Sequence, residues 1–129
     1  MMNRPNKGSL LSSFRHAFEG LWYVLCAERN ARIHLAAAAI VIALSAWLDL
    51  GPIEWAFMIA AIALVFAGEM LNTVIEIAID LVTQEHNALA GRAKDLAAGM
   101  TLIIALAAAI IGLIILGPRL WLKIGAIGR

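Results

Sequence analysis

The chain has 129 residues, 63% of them hydrophobic and 15% charged, whereas soluble domains run at roughly 45–50% apolar with glycine included and about 25% charged. A globule of this length leaves roughly a third of its unfolded-chain surface exposed, so water is the wrong solvent for most of the sequence. Ten Lys and Arg against nine Asp and Glu, for a formal charge of +1, offer no field for nucleic acid, and the single Cys26 excludes an internal disulfide or a Cys-built zinc cluster.

One domain over residues 1–129 is expected, entered by a helix over 8–30. There Leu10, Leu11, Phe14, Ala17, Phe18, Leu21, Trp22 and Leu25 recur at steps of three and four, with Ser12, Arg15, His16 and Glu19 opposite. The pattern predicts an amphipathic helix lying in the membrane interface. At about 100° per residue Glu28 continues its apolar stripe, which is odd for a mere surface charge.

Three spans follow, at 33–50, 53–82 and 95–117. Leu35 to Leu48 is apolar except for Ser45, Trp55 to Ala67 has no polar side chain, and Leu96 to Gly117 has only Thr101. With their flanks these runs reach the roughly 17–25 residues a bilayer core requires. The first apolar run begins too late for a cleaved signal peptide. Asp49, Leu50, Gly51 and Pro52 make a tight turn that forces an antiparallel hairpin, and the proline suits the first turn of the second span. A polar connection is predicted over 83–93 and a tail over 118–129. Arg4, Lys7, Arg15, Arg29, Arg32, Arg92 and Lys94 fall on one side of the membrane, against Arg119, Lys123 and Arg129 on the other. The positive-inside rule therefore predicts a cytoplasmic N-terminus and an external C-terminus.

The second span begins as pure hydrocarbon and ends with Glu69, Asn72, Glu76 and Asp80, all within an arc of about 80° on one helix face. Glu69 lies 17 residues beyond Pro52, about 25 Å along the axis, which puts it just inside the cytoplasmic boundary. An intramembrane acid is expensive, and polar pairs between membrane helices return only around 0.6 kcal/mol on average, so packing alone is a poor reason for the stripe. Glu28 to Arg32 and Lys94 to Asp95 reach the same level from the other spans. Carboxylates gathered there call for a cation, a shared proton or basic partners. Oxygen ligands suit Mg²⁺ carrying nucleotide phosphates, and Lys94 can face those phosphates as a point charge. The chemistry suggested is phosphoryl transfer from a cytosolic nucleotide to a lipid hydroxyl. An oligomeric ion channel or proton-coupled carrier using Glu69 and Glu76 is the alternative, although the outer half of the second span offers a proton no stepping stone.

Three strings carry a resemblance: Glu28-Arg29-Asn30; Glu69-Met70-Leu71-Asn72-Thr73-Val74-Ile75-Glu76; and Ala93-Lys94-Asp95-Leu96-Ala97-Ala98-Gly99. The chain resembles the small prokaryotic membrane lipid kinases, the bacterial diacylglycerol kinase and undecaprenol kinase family, from about Phe14 to Pro118. The resemblance implies an all-α homotrimer of the bacterial cytoplasmic membrane that uses ATP and Mg²⁺ to phosphorylate a lipid alcohol, with sites built across protomers. It also implies Glu69 as catalytic base, Glu28 and Glu76 as Mg-nucleotide ligands, Asn72 as a site-organising residue and Lys94 with Asp95 as nucleotide contacts. Glu85 and Asn87 would lie in a loop beside the nucleotide. Some strings, such as Ile53-Glu54-Trp55, look like the undecaprenol branch, and others, such as Trp47-Leu48-Asp49, like the diacylglycerol branch, so both substrates stay open. Gly68 departs from the bulkier residue expected before the base. No Walker A or G-x-G-x-x-G pattern occurs. His16, His34 and His86 lack metal-ligand spacing and read as interface or loop residues.

Overall fold

A computed structural model describes residues 9–85 and 87–127; Arg4, Lys7, His86 and Arg129, with the first residue of the expected entry helix and the end of the expected tail, lie outside the described residues. Four helices follow in chain order: α1 (Leu10–Ala27), α2 (Arg29–Trp47), α3 (Pro52–Val82) and α4 (Ala88–Ile127). The last three are each long and apolar enough to cross a membrane. Most large side chains of α4, including Leu102, Ile103, Leu113 and Ile114, point away from the chain's own core, an arrangement that suits lipid or another protein surface and not water.

The entry helix is shorter than expected. Ser9 caps it by accepting from the Ser12 amide at 3.3 Å. At the other end the backbone leaves the helix at Glu28, with φ −97° and ψ 122°. The corner is stitched from the far side: Arg32 Nη1 donates to the carbonyls of Leu25 at 3.3 Å and Cys26 at 2.9 Å. Those carbonyls are orphan acceptors at a helix end. Glu28 therefore does not extend the α1 stripe. It is the hinge between α1 and α2.

The turn after α2 forms as expected. Asp49 takes a left-handed φ of 52°, which Asp tolerates better than most residues. Pro52 opens α3, and Glu54 reaches back to accept from the Gly51 amide at 2.7 Å. Leu48, Leu50 and Met58 form a buried cluster there, with Leu116 and Leu120 of α4 packed on it.

The predicted tail continues α4 as helix to Ile127, with Pro118 inside it. An interior proline removes one donor and crowds the carbonyl four residues earlier, and neighbouring groups can absorb that in a membrane bundle. The continuation lets Arg119 grip Glu54 with two bonds of 2.9 and 2.6 Å and donate to the carbonyls of Leu48 at 3.3 Å and Asp49 at 3.1 Å. Lys123 reaches the Trp47 carbonyl and stands 5.1 Å over its ring. The predicted connection over 83–93 shrinks to residues 83–87. Asn87 Oδ1 caps α4 by accepting from the amides of Leu89 at 2.9 Å and Ala90 at 3.3 Å, and the polar Gly91 to Lys94 stretch then lies in helical turns begun by alanine and leucine.

Helices α3 and α4 pack along their length. Gly68 allows their close approach, because a β-carbon there would stand 3.0 Å from Ile104 Cδ1. Thr101 Oγ1 crosses the interface to the Gly68 carbonyl at 3.2 Å.

Candidate active site

The acidic stripe on α3 is graded in depth. Glu69 is 2% exposed, Asn72 and Glu76 are half-buried, and Asp80 is exposed. The buried step is locally supported: Thr73 Oγ1 donates to the Glu69 carbonyl at 3.0 Å, while Thr101 holds the carbonyl one residue earlier. A carboxylate so removed from solvent needs a partner. It has one on α2, where His34 Nε2 stands 3.2 Å from Glu69 Oε1.

One turn further along, Asn72 Nδ2 donates to Glu76 Oε1 at 2.8 Å. Asn72 Oδ1 is buried and has no partner among the described residues. The Glu76 carboxylate held by this amide is a hard oxygen donor, the kind Mg²⁺ accepts while keeping waters and phosphates in its other positions. No group of three or more His, Cys, Asp or Glu side chains among the described residues could hold a metal alone, so a cation here would depend on ligands brought by a nucleotide or by another chain. Beyond this pair Lys94 Nζ lies 2.6 Å from Asp80 Oδ1, with Lys94 half-buried and Asp80 exposed.

The structure thus brings the sequence-predicted residues together in part. Glu69, Asn72, Glu76 and Lys94 lie along one end of the α3–α4 pair, and Glu28 is half-buried at the corner of α1, which packs on both α2 and α3. Asp95 and Glu85 are exposed, and Asn87 has its side-chain oxygen committed to the α4 cap. His34 was missed by reading the histidines for metal spacing. The hairpin register carried the signal. His34 precedes the turn at Asp49 by 15 residues and Glu69 follows Pro52 by 17, depths of about 22 and 25 Å, so the two are opposite one another.

An apolar groove of about 610 Å³ runs between α2, α3 and α4, lined by Ala38, Met58, Val65, Ala109 and Leu116, and His34 is its polar member. Along α4 the lining extends from Ala105 to Leu120, about 22 Å, most of a bilayer's hydrocarbon thickness.

A bundle of long apolar helices with a buried carboxylate beside a hydrocarbon-lined groove, and a polar face graded in burial, defines an integral membrane protein with an ionisable site at one end of the bundle. The sequence signature of the family described as prokaryotic diacylglycerol kinase matches residues 15–116, and the chain belongs to that family of lipid kinases. It is 40% identical over 118 residues to the undecaprenol kinase of Bacillus subtilis (strain 168), covering 92% of this chain and 96% of the relative. It is 42% identical over 113 residues to a diacylglycerol kinase of Synechocystis sp., covering 87% of this chain and 65% of that one. The diacylglycerol kinase of Escherichia coli (strain K12) is 29% identical over 107 residues, 83% of this chain and 88% of its own. Neither family nor relatives speak for the channel or carrier alternative.

Proposed function

We propose that the chain transfers the γ-phosphoryl group of Mg-ATP to the hydroxyl of a membrane lipid alcohol, diacylglycerol or undecaprenol, at the end of the bundle that carries Glu69. The observation behind this reading is the position of Glu69, buried and next to the inner end of an apolar groove while the same helix face carries Asn72 and Glu76 toward solvent. A hydroxyl carried by lipid can reach the first, and a nucleotide the second.

In this reading Glu69 takes the hydroxyl proton as the oxygen attacks. Glu76 and Glu28 hold the Mg-nucleotide, with Asn72 orienting Glu76 through their 2.8 Å bond. Lys94 leaves Asp80 to face phosphate, and Asp95, Glu85 and Asn87 line the nucleotide side. Bound Mg²⁺ would supply charge neutralisation for the transferred group. The protein's own share is positioning and electrostatics. The chain works as a homotrimer, consistent with the apolar side chains that α4 leaves uncovered. Helix α1 lies in the cytoplasmic interface with its exposed Leu10, Leu11, Phe14, Phe18 and Trp22 toward lipid, the N-terminus is cytoplasmic and the C-terminus external.

The test is a mixed-micelle assay with γ-labelled ATP, offering diacylglycerol and undecaprenol separately. Label is expected in the lipid, lost in Glu69→Gln and strongly reduced in Glu76→Gln. Unchanged transfer by the Glu69 variant would refute the assigned base. Label in neither lipid, with ion flux in liposomes, would favour the carrier.

A further inference from the structure

We propose that His34 is the positioning residue for Glu69: its imidazole, with Nε2 3.2 Å from Oε1, compensates the buried charge and leaves Oε2 to receive the proton of the lipid hydroxyl. This rests on the reading of Glu69 as the base. A carboxylate that is 2% exposed at membrane depth persists as an anion only if a donor or cation meets it. Among the described residues the one such side chain at charge-pairing distance is His34, at 3.2 Å. The imidazole stands against Oε1, and a carboxylate retains lone pairs on its other oxygen to accept a further proton donor.

His34 comes from α2 and Glu69 from α3, so the contact fixes the carboxylate against the opposite wall of the groove and not merely on its own helix. The ring is also part of the groove lining, which places it on the side from which a lipid-borne hydroxyl arrives. In the step itself the alcohol oxygen forms a bond to the γ-phosphorus as the bond to the bridging oxygen breaks. That electron pair leaves with ADP, and the hydroxyl proton passes to Glu69 Oε2. His34 forms no bond to substrate. It keeps the accepting oxygen aimed.

The experiment uses the full chain in mixed micelles, comparing wild type, His34→Ala, His34→Gln and Glu69→Gln. Displacing a reacting group by about 1 Å can cost on the order of 100-fold, so His34→Ala is expected to lower kcat by about 10- to 100-fold with KM for lipid and for Mg-ATP little changed. His34→Gln, whose amide also donates, is expected to recover most of that loss. Unchanged kcat in His34→Ala, a loss confined to KM, or a glutamine variant as poor as alanine would each overturn the proposal. If Glu69→Gln itself remains active, the base reading fails. If it is dead while His34→Ala is active, only the role of His34 fails. Nitrogen-15 NMR of labelled histidine in wild type and Glu69→Gln gives a readout independent of turnover and of how the His34 variants fold. The His34 Nε2 signal is expected to shift when its carboxylate partner becomes an amide, and an unmoved signal would overturn the pairing.

Discussion

Replacing Gly68 tests whether the α3–α4 approach sets the stability of the site. In Gly68→Ala the new carbon falls 3.0 Å from Ile104 Cδ1, whereas unstrained carbons rest at about 3.5–4.0 Å. Ile104 is half-buried and its methyl can swing aside, at about 0.5–1.5 kcal/mol for an off-rotamer side chain. Against this, alanine in place of a helical glycine gains about 0.8–1 kcal/mol. The two nearly cancel, so Gly68→Ala is expected to melt close to wild type. Ile104→Val removes the obstructing methyl, and Gly68→Ala in that background is expected to stabilise by close to 1 kcal/mol. Gly68→Leu carries too much volume for either escape and should lose about 1–3 kcal/mol while pressing on the Thr101 bond to the Gly68 carbonyl. The measurement is thermal unfolding in detergent, followed by circular dichroism, for the four proteins of the alanine–valine cycle and for the leucine variant. A coupling energy below about 0.3 kcal/mol would refute the steric argument, as would a leucine variant as stable as the alanine one.

At the opposite end of the bundle, Asp49→Val places a β-branched residue at φ 52° and is expected to cost about 1–2 kcal/mol in the same unfolding assay, with Asp49→Asn near neutral. Equal stability of the two would mean that the turn relaxes out of the left-handed region. The Arg119 grip on Glu54 predicts non-additivity: Arg119→Met and Glu54→Gln should each lower the melting midpoint, and the double variant should melt no lower than Arg119→Met alone. Independent, additive losses would show that the two side chains do not act as a pair.

The parts of the structure that depend on solvent preference and short-range chemistry were legible in the sequence. A run such as Trp55 to Ala67 has no reading other than hydrocarbon, and Asp49 to Pro52 could only turn. The stripe from Glu69 to Asp80 followed from helical period alone. What escaped depends on long reach. The corner at Glu28 exists because Arg32 folds back onto the carbonyls of Leu25 and Cys26, a contact that periodicity cannot show. The stretch from Pro118 is expected from the sequence only as a tail after the third span. It is helical, and Arg119 and Lys123 find partners across the bundle at Glu54 and Trp47. His34 was hidden by a question about spacing along the chain when its meaning lay across the hairpin.

Three acids on one helix face need not have three similar roles, because environment separates them. Glu69 is enclosed and faces an imidazole, Glu76 is half-buried and faces an amide, and Asp80 is exposed and faces an ammonium group. From Glu69 to Asp80 the helix advances 11 residues, about 16 Å, and crosses from near-complete burial to solvent. A reaction that joins a water-soluble phosphate donor to an alcohol confined to lipid needs such a gradient, since neither substrate can enter the other's phase. A uniformly exposed stripe would leave the hydroxyl without a base at its own depth, and a uniformly buried one would exclude the nucleotide. Under the proposed reading the 31-residue length of α3 is functional. A helix trimmed to the roughly 20 residues that a bilayer requires would end close to Glu69 and have no face left on which to hold the donor.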